Sequence, residues 1–297
     1  MLGEISRGKI TDENQDSYFV QINGKTYELP KIEITQEEHP KLGDEVQGFI
    51  YENLHKKAKM TQFLPFAQKD QYGWAKVTQI RGDLGVFVDI GLQDKEIVVS
   101  LDDLPYDKTR WPKKGDRLLV RLETDEKERI WAKLADDDVF QQLSSRFPSD
   151  LINKDLKVTV YASRLVGAFA ISDEYYLTFI HESQMAQPLR LGQTIEARVI
   201  GISQYSRLNL STLPRAFEEI DDDAQMILMS LARTPDHTLP FSDKSDPSEI
   251  KNHFGISKGA FKRALGHLLK ADYISENKID NTIHLLKLPG ADSTHDQ

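Results

Sequence analysis

The sequence predicts a multidomain, mostly β protein: three tandem five-stranded β-barrels followed by an α+β winged-helix domain. Three observations predict it. A unit of five short strands recurs, with Gly-Asp or Gly-Gln turns at Gly43, Gly115 and Gly192, a period of 72 and then 77 residues. No long helical pattern interrupts these units before about residue 214. Beyond that point helical apolar stripes and helix caps replace the strand pattern.

The first unit takes residues 1–64. It opens with "GKIT" at Gly8 and continues with "SYFVQI", Ser17 to Ile22. Alternate residues of a strand point to opposite faces. Tyr18, Val20 and Ile22 therefore share one face, and Phe19 shares the other with Gln21. "LGDEVQGFI" at Leu42 and the "KKAKM" stretch around Lys57 complete the unit. The second unit, residues 65–144, has "GWAKVTQI" at Gly73 and "GDLGVFVDIG", Gly82 to Gly91. Val86, Val88 and Ile90 form its core face, while Phe87 lies with Asp89 on the wet side. "KGDRLLVRL" at Lys114 and "RIWAKL" at Arg129 follow. The third unit, residues 145–214, has "KVTVYASRL" at Lys157, then "GAFAIS", where Ala168 and Ala170 face in and Phe169 faces out. "LGQTIEARV" at Leu191 and "RLNLS" at Arg207 close it. Each last strand is expected to carry a cation on its outer face: Lys57, Arg129 or Arg207. Closed barrels remove free sheet edges. Units this small have modest cores, so packing between neighbours should help. Trp74, Trp111 and Trp131 are expected in cores or interdomain contacts.

The last domain takes residues 215–288. Its first helix is predicted over 216–232, with acids early, where they suit the positive helix end. A Pro-, Asp- and Ser-rich stretch follows. Asp246 is the N-cap of a second helix, with Pro247 at its first position, Glu249 completing a capping-box-like pattern and Gly255 ending it. Ser257 caps a third helix. On it Phe261, Ala264, Leu265, Leu268 and Leu269 form one stripe, and Lys262, Arg263, Gly266, His267 and Lys270 the opposite face. Two apolar runs around Asp280–Asn281 make a hairpin. Helix 2, turn and helix 3 have helix-turn-helix form, which makes Lys258, Lys262, Arg263 and Lys270 candidate nucleic-acid contacts. Residues 289–297 are expected to be a disordered tail.

Composition narrows the functional classes. The 297-residue chain has a formal net charge of −9 and no cysteine. That excludes a disulfide framework and a cysteine-built zinc site, and counts against a surface coated in phosphate-binding charge. The charge is uneven, however: residues 145–214 come to +1, and residues 250–271 hold five Lys/Arg and no acid. No apolar run has signal-peptide or membrane-span length, so a cytoplasmic protein without a membrane partner is expected. No Gly-rich phosphate loop, paired histidines or Ser/His/Asp arrangement stands out. No catalytic residue, metal site or cofactor is assigned, and the protein is not expected to be an enzyme.

The repeats resemble the ribosomal S1 motif, an OB-fold RNA-binding domain. "YGWAKVTQIRGDLGVFVDIG", "YYLTFIHESQ" (Tyr175 to Gln184) and "GISQYSRLNLS" carry the resemblance. The second repeat matches strongly, the first mainly by position. The resemblance implies single-stranded RNA binding on one barrel face. Its second aromatic falls on Phe19, Phe87 and Phe169, its histidine on His181, its aspartate on Asp125, and its basic position on Lys57, Arg129 and Arg207. The first aromatic is absent, with Asp16, Leu84 and Val166 in its place. Ser100 replaces the histidine in the second repeat and Ser203 the aspartate in the third. No repeat keeps the whole set, so tight binding needs several acting together. Physics points the same way: an exposed ring stacks on any base for roughly 1–3 kcal/mol, and a cation beside it neutralises phosphate.

Three S1-type barrels and a winged helix, in that order, resemble the conserved virulence factor B family of bacterial RNA-binding regulatory proteins. The resemblance implies post-transcriptional control of gene expression, including virulence genes in pathogens; separately, a monomer is expected. The winged helix is a candidate contact for duplex DNA or RNA. Two rival readings are a DNA-binding transcription regulator acting through the winged helix on duplex DNA, and a protein-interaction module of the ribosome or an RNA-degrading complex.

Overall fold

The computed structural model of the chain describes residues 2–34, 40–203, 206–214 and 221–288. The chain divides into two compact units, Met1–Thr212 and Leu213–Gln297. The first holds three closed barrels of five strands each. Barrel one is β1 (Glu4–Glu13), β2 (Ser17–Ile22), β3 (Lys25–Pro30), β4 (Glu45–Glu52) and β5 (Ala58–Thr61). Barrel two is β6 (Gly73–Arg81), β7 (Gly85–Asp89), β8 (Ile97–Ser100), β9 (Arg117–Thr124) and β10 (Ile130–Leu134). Barrel three is β11 (Asp155–Arg164), β12 (Gly167–Ser172), β13 (Leu177–His181), β14 (Thr194–Ile202) and β15 (Leu208–Ser211). Topology is shared. The first three strands form an antiparallel meander, the fourth pairs back onto the first, and the fifth lies between third and fourth, parallel to the third. The expected cations Lys57, Arg129 and Arg207 stand one residue before these fifth strands rather than on them.

Alternation works as expected where it matters. Val86, Val88 and Ile90 are fully buried, as are Ala168 and Ala170. Each first strand also carries a one-residue bulge, at Thr11, Thr78 and Tyr161, opposite the strand that holds the outward phenylalanine. A bulge bends its strand and raises the local twist. In barrels one and two the bulged threonine steadies the phenylalanine's backbone. Thr11 Oγ1 donates to the Phe19 carbonyl at 3.3 Å and Thr78 Oγ1 to the Phe87 carbonyl at 3.2 Å. In barrel three the same position is Tyr161, whose side chain points into the next joint.

The barrels are joined tightly. Phe49 and Tyr51 of barrel one pack into the core cluster of barrel two. Asp94, in the loop between β7 and β8, accepts from Tyr51 Oη at 2.7 Å and from Asn53 Nδ2 at 3.0 Å. Between barrels two and three runs a short helix, α1 (Asp137–Leu143), capped by Asp136. Its Phe140 is 2% exposed and stacks on Tyr161 at 3.9 Å between ring centres. Asp116, its side chain 8% exposed, takes a two-pronged ion pair from Arg190 at 2.7 and 2.8 Å. Gly192 sits here at φ +78°, and an added Cβ would come within 3.0 Å of the Arg117 carbonyl oxygen, so this turn and this close approach both need glycine. Trp111 is buried with its Nε1 donating to the Pro105 carbonyl, and Trp74 packs in the joint beside Phe140. Trp131 is half-buried on the outer face of barrel two, in the cleft it shares with barrel one.

The second unit is a winged helix: α2 (Asp222–Arg233), β16 (Thr238–Leu239), α3 (Pro247–Phe254), α4 (Lys258–Lys270), β17 (Ile274–Asn277) and β18 (Thr282–Leu285). Two differences from expectation stand out. The first helix begins at Asp222, capped by Asp221, rather than at 216, and residues 215–220 lie outside the described residues. The stretch read as irregular contains β16, which makes the hairpin a three-stranded sheet. Two residues are too few to show alternation, and only the pairing of Thr238 with His284 and of Leu239 with Ile283 on β18 reveals the strand. The caps fall where expected. Asp246 accepts from the Ser248 amide, Gly255 ends α3 in the left-handed region at φ +73°, and Ser257 Oγ accepts from the Ala260 amide. Phe261, Ala264, Leu265 and Leu268 are buried and Leu269 packs against them. Ser257→Ala is expected to cost about 1 kcal/mol by loss of that cap, read from urea denaturation of the whole chain. The expected tail, 289–297, lies outside the described residues.

Candidate nucleic-acid interface

In barrel two, strand register assembles one transverse row. Phe87 pairs with Val98 on β8, and Val98 pairs with Trp131 on β10. All three side chains are half-buried and line a cleft of about 430 Å³ between barrels one and two. Arg129 stands over the Trp131 ring at 5.3 Å, within cation–π reach. Its side chain is 60% exposed. Barrel one contributes Asn53, Leu54 and Lys56 to the opposite wall. The cleft's cations are Lys56, Lys95, Lys127 and Arg129, against Glu52, Glu96 and Glu128.

Asp125 organises this wall from the turn between β9 and β10. Its carboxylate accepts from the amides of Lys127 and Arg129, from Arg129 Nε at 2.7 Å and from Trp131 Nε1 at 3.1 Å. The Arg129 amide first, then the Arg129 and Trp131 side chains, hold it well below the usual carboxylate range. A depressed folded-state pKa stabilises above the unfolded value and loses that stabilisation as pH falls. The melting-temperature gap between the parent and Asp125→Asn is therefore expected to be constant above about pH 5 and to narrow below about pH 4. A gap independent of pH would contradict it.

The other two barrels differ. In barrel one Phe19 faces Asp12 on one side and Glu28 on the other. Glu28 is paired with Lys59 at 2.9 Å, while Lys57 is exposed, with no ion pair among the described residues. Asn53 takes the place Asp125 has in barrel two, accepting from the amides of His55 and Lys57. In barrel three Phe169 is half-buried between two guanidinium groups, Arg164 at 5.0 Å and Arg207 at 5.3 Å, and packs on Phe179 at 4.9 Å. Arg207, its side chain 12% exposed, binds Asp137 at 3.0 Å and Tyr161 Oη at 2.6 Å. It is a fastener of the joint more than an outward cation. His181 is exposed but caps a short turn, its Nδ1 accepting from the Ser183 amide, and Ser100 does the same in barrel two through the Asp102 amide. Arg207→Ala is expected to lower stability, by stripping the partly buried Asp137 of its cation, and to leave the salt dependence of RNA binding nearly unchanged. Denaturation and a salt titration check the two halves.

On the winged helix, Arg263 and Lys270 project into solvent from α4. Lys262 faces Asp243 at 3.8 Å, and Lys258 Nζ donates to the Lys244 carbonyl at 3.4 Å. Within the first unit the predicted residues thus fall into one group per barrel, and the winged helix carries its own group on α4. The place of four residues at this interface is not among the sequence expectations, which assign Trp131 to a core or interdomain contact. Trp131 follows Arg129 by two, and Phe179 precedes His181 by two, so alternation carried both signals. Asn53 was legible as the turn counterpart of Asp125. Nothing local marks Lys95, because its burial comes from another barrel.

Comparison with known proteins fits this architecture. Residues 2–62 match a family described as S1 domain, residues 72–133 the CvfB first S1-like domain, residues 140–214 the second domain of virulence regulatory factor CvfB, and residues 225–285 the CvfB-like winged helix domain. The general S1 family thus matches the repeat with the least obvious motif. The chain is 39% identical over 254 residues to conserved virulence factor B of Staphylococcus epidermidis, covering 85% of this chain and 84% of that one. It is 38% identical over 261 residues to the uncharacterized protein YitL of Bacillus subtilis, covering 88% and 86%. A crystal structure of a multidomain protein with nucleic acid binding domains from Streptococcus pneumoniae superposes with a TM-score of 0.69 at 46% identity, covering 96% of this chain and 98% of that one. S1 and winged-helix domains are kinds that bind nucleic acid. No helix among the described residues is long and apolar enough to cross a membrane.

Proposed function

The chain belongs to the conserved virulence factor B family, and from that membership we propose that it binds single-stranded RNA and controls gene expression after transcription. The observation that carries this reading is the Phe87–Val98–Trp131 row, with Arg129 over the indole. Bases of any identity stack on such rings, and the arginine neutralises phosphate. Little base-edge hydrogen bonding is on offer, so preference follows strand flexibility. The four domains, residues 1–64, 65–144, 145–214 and 215–288, act as a cytoplasmic monomer without catalysis. Barrel two contributes most. Barrel one, with carboxylates on both sides of Phe19, contributes least.

The test is a titration of single-stranded RNA and duplex DNA of matched length at two salt concentrations. RNA is expected to bind more tightly. Arg129→Ala should lower the slope of log affinity against log salt by about 0.7, the share of one phosphate contact on a single strand. Tight duplex binding that fails on Lys262→Ala/Arg263→Ala but survives Phe87→Ala would transfer the function to the exposed basic face of α4.

A further inference from the structure

The loop between β7 and β8 pins barrel two to barrel one. Asp94 in that loop is held by Tyr51 and Asn53, and the next residue, Lys95, is left half-buried in the cleft. Among the described residues its ammonium has no hydrogen-bond acceptor and no ion pair. Of the two carboxylates that pull on it, Asp94 is engaged by Tyr51 and Asn53 and Glu52 by Lys25 at 3.0 Å, while Glu96 and Glu128 line the same cleft. Burial holds the ammonium below the usual lysine range, against the pull of Glu52 and Asp94. A cation partly withdrawn from water without a partner gains when an anion joins it. The same cleft offers the faces of Trp131 and Phe87 and the guanidinium of Arg129. An anion attached to a flat aromatic group matches both features, and a nucleotide unit is such a group.

Building on RNA binding by the barrels, we propose that this cleft is a nucleotide subsite shared by two barrels, in which Lys95 takes a backbone phosphate of single-stranded RNA whose base lies on Trp131. The strand then passes between barrels one and two rather than over barrel two alone. Asn53 serves the subsite indirectly, as a positioning residue that fixes the Lys95 loop.

The test needs no substitution at first. The full chain is treated with an acetylating reagent, with and without a saturating 12-nucleotide single-stranded RNA, and modified lysines are read by mass spectrometry. RNA is expected to slow acetylation of Lys95 several-fold and to leave Lys154, in barrel three, unaffected. Lys95→Gln is expected to weaken RNA binding about 3- to 10-fold and to lower the salt slope by about 0.7, with a melting temperature at or above the parent's. Lys95→Arg is expected to keep both. A mononucleotide at the same concentration should protect little, which separates a strand site from a free-nucleotide site, and full protection by the mononucleotide overturns the strand assignment. Equal acetylation with and without RNA, in a protein that still binds RNA, overturns the subsite and leaves RNA binding standing. A parent protein with no affinity for RNA removes both.

Discussion

Replacing Phe87 and Trp131 together by alanine is expected to weaken single-stranded RNA binding at least about 30-fold. Each base–ring stack is worth about 1–3 kcal/mol, so two lost rings remove about 2 kcal/mol or more. Fluorescence anisotropy with a labelled oligonucleotide measures it. Stability should change less, because both rings lie on the outer face and only half-buried, while Val86, Val88 and Ile90 hold the core beneath. Unchanged affinity in a variant that melts like the parent would show that the row is ordinary packing against barrel one. A salt slope equal to the parent's is part of the expectation, since the phosphate-facing cations remain.

Phe140→Ala carries the largest expected cost in stability, about 3–5 kcal/mol, the range for removing a buried phenylalanine ring. The ring stacks on Tyr161 and packs near Trp74, so its loss empties the joint between barrels two and three. Urea denaturation followed by near-UV circular dichroism reads it. The joint also keeps Asp137 against Tyr161 and Arg207, so the variant should loosen the Arg207–Phe169 contact as well. A cost below about 0.5 kcal/mol, the size of ordinary surface changes, would show that α1 is a passive tether.

Much of this was legible beforehand, for definable reasons. The outward Phe19, Phe87 and Phe169, the turns at Gly115 and Gly192, and the caps Asp246, Ser257 and Gly255 are all local events, fixed by alternation, turn chemistry or capping within a few residues. What escaped depends on distant partners. Arg207 has the residue type of a phosphate ligand, but Asp137, from the helix that precedes its barrel, takes it. Tyr161 occupies a bulge that threonine fills twice, and only the neighbouring helix explains the exchange. Trp131 was visible by alternation, but its importance came from pairing across β8, which local pattern does not report. Lys95 is an unremarkable loop lysine until barrel one closes over it.

The fifth strand of every barrel is wedged between the third and the fourth, and this sets an order of events during synthesis. Until β10 leaves the ribosome, β8 and β9 each present a row of bare backbone donors and acceptors, the kind of edge on which foreign chains zip up. A released fragment ending at Arg129 is thus expected to aggregate where one ending at Leu143 stays dispersed. Each completed barrel, by contrast, retires its own hazard.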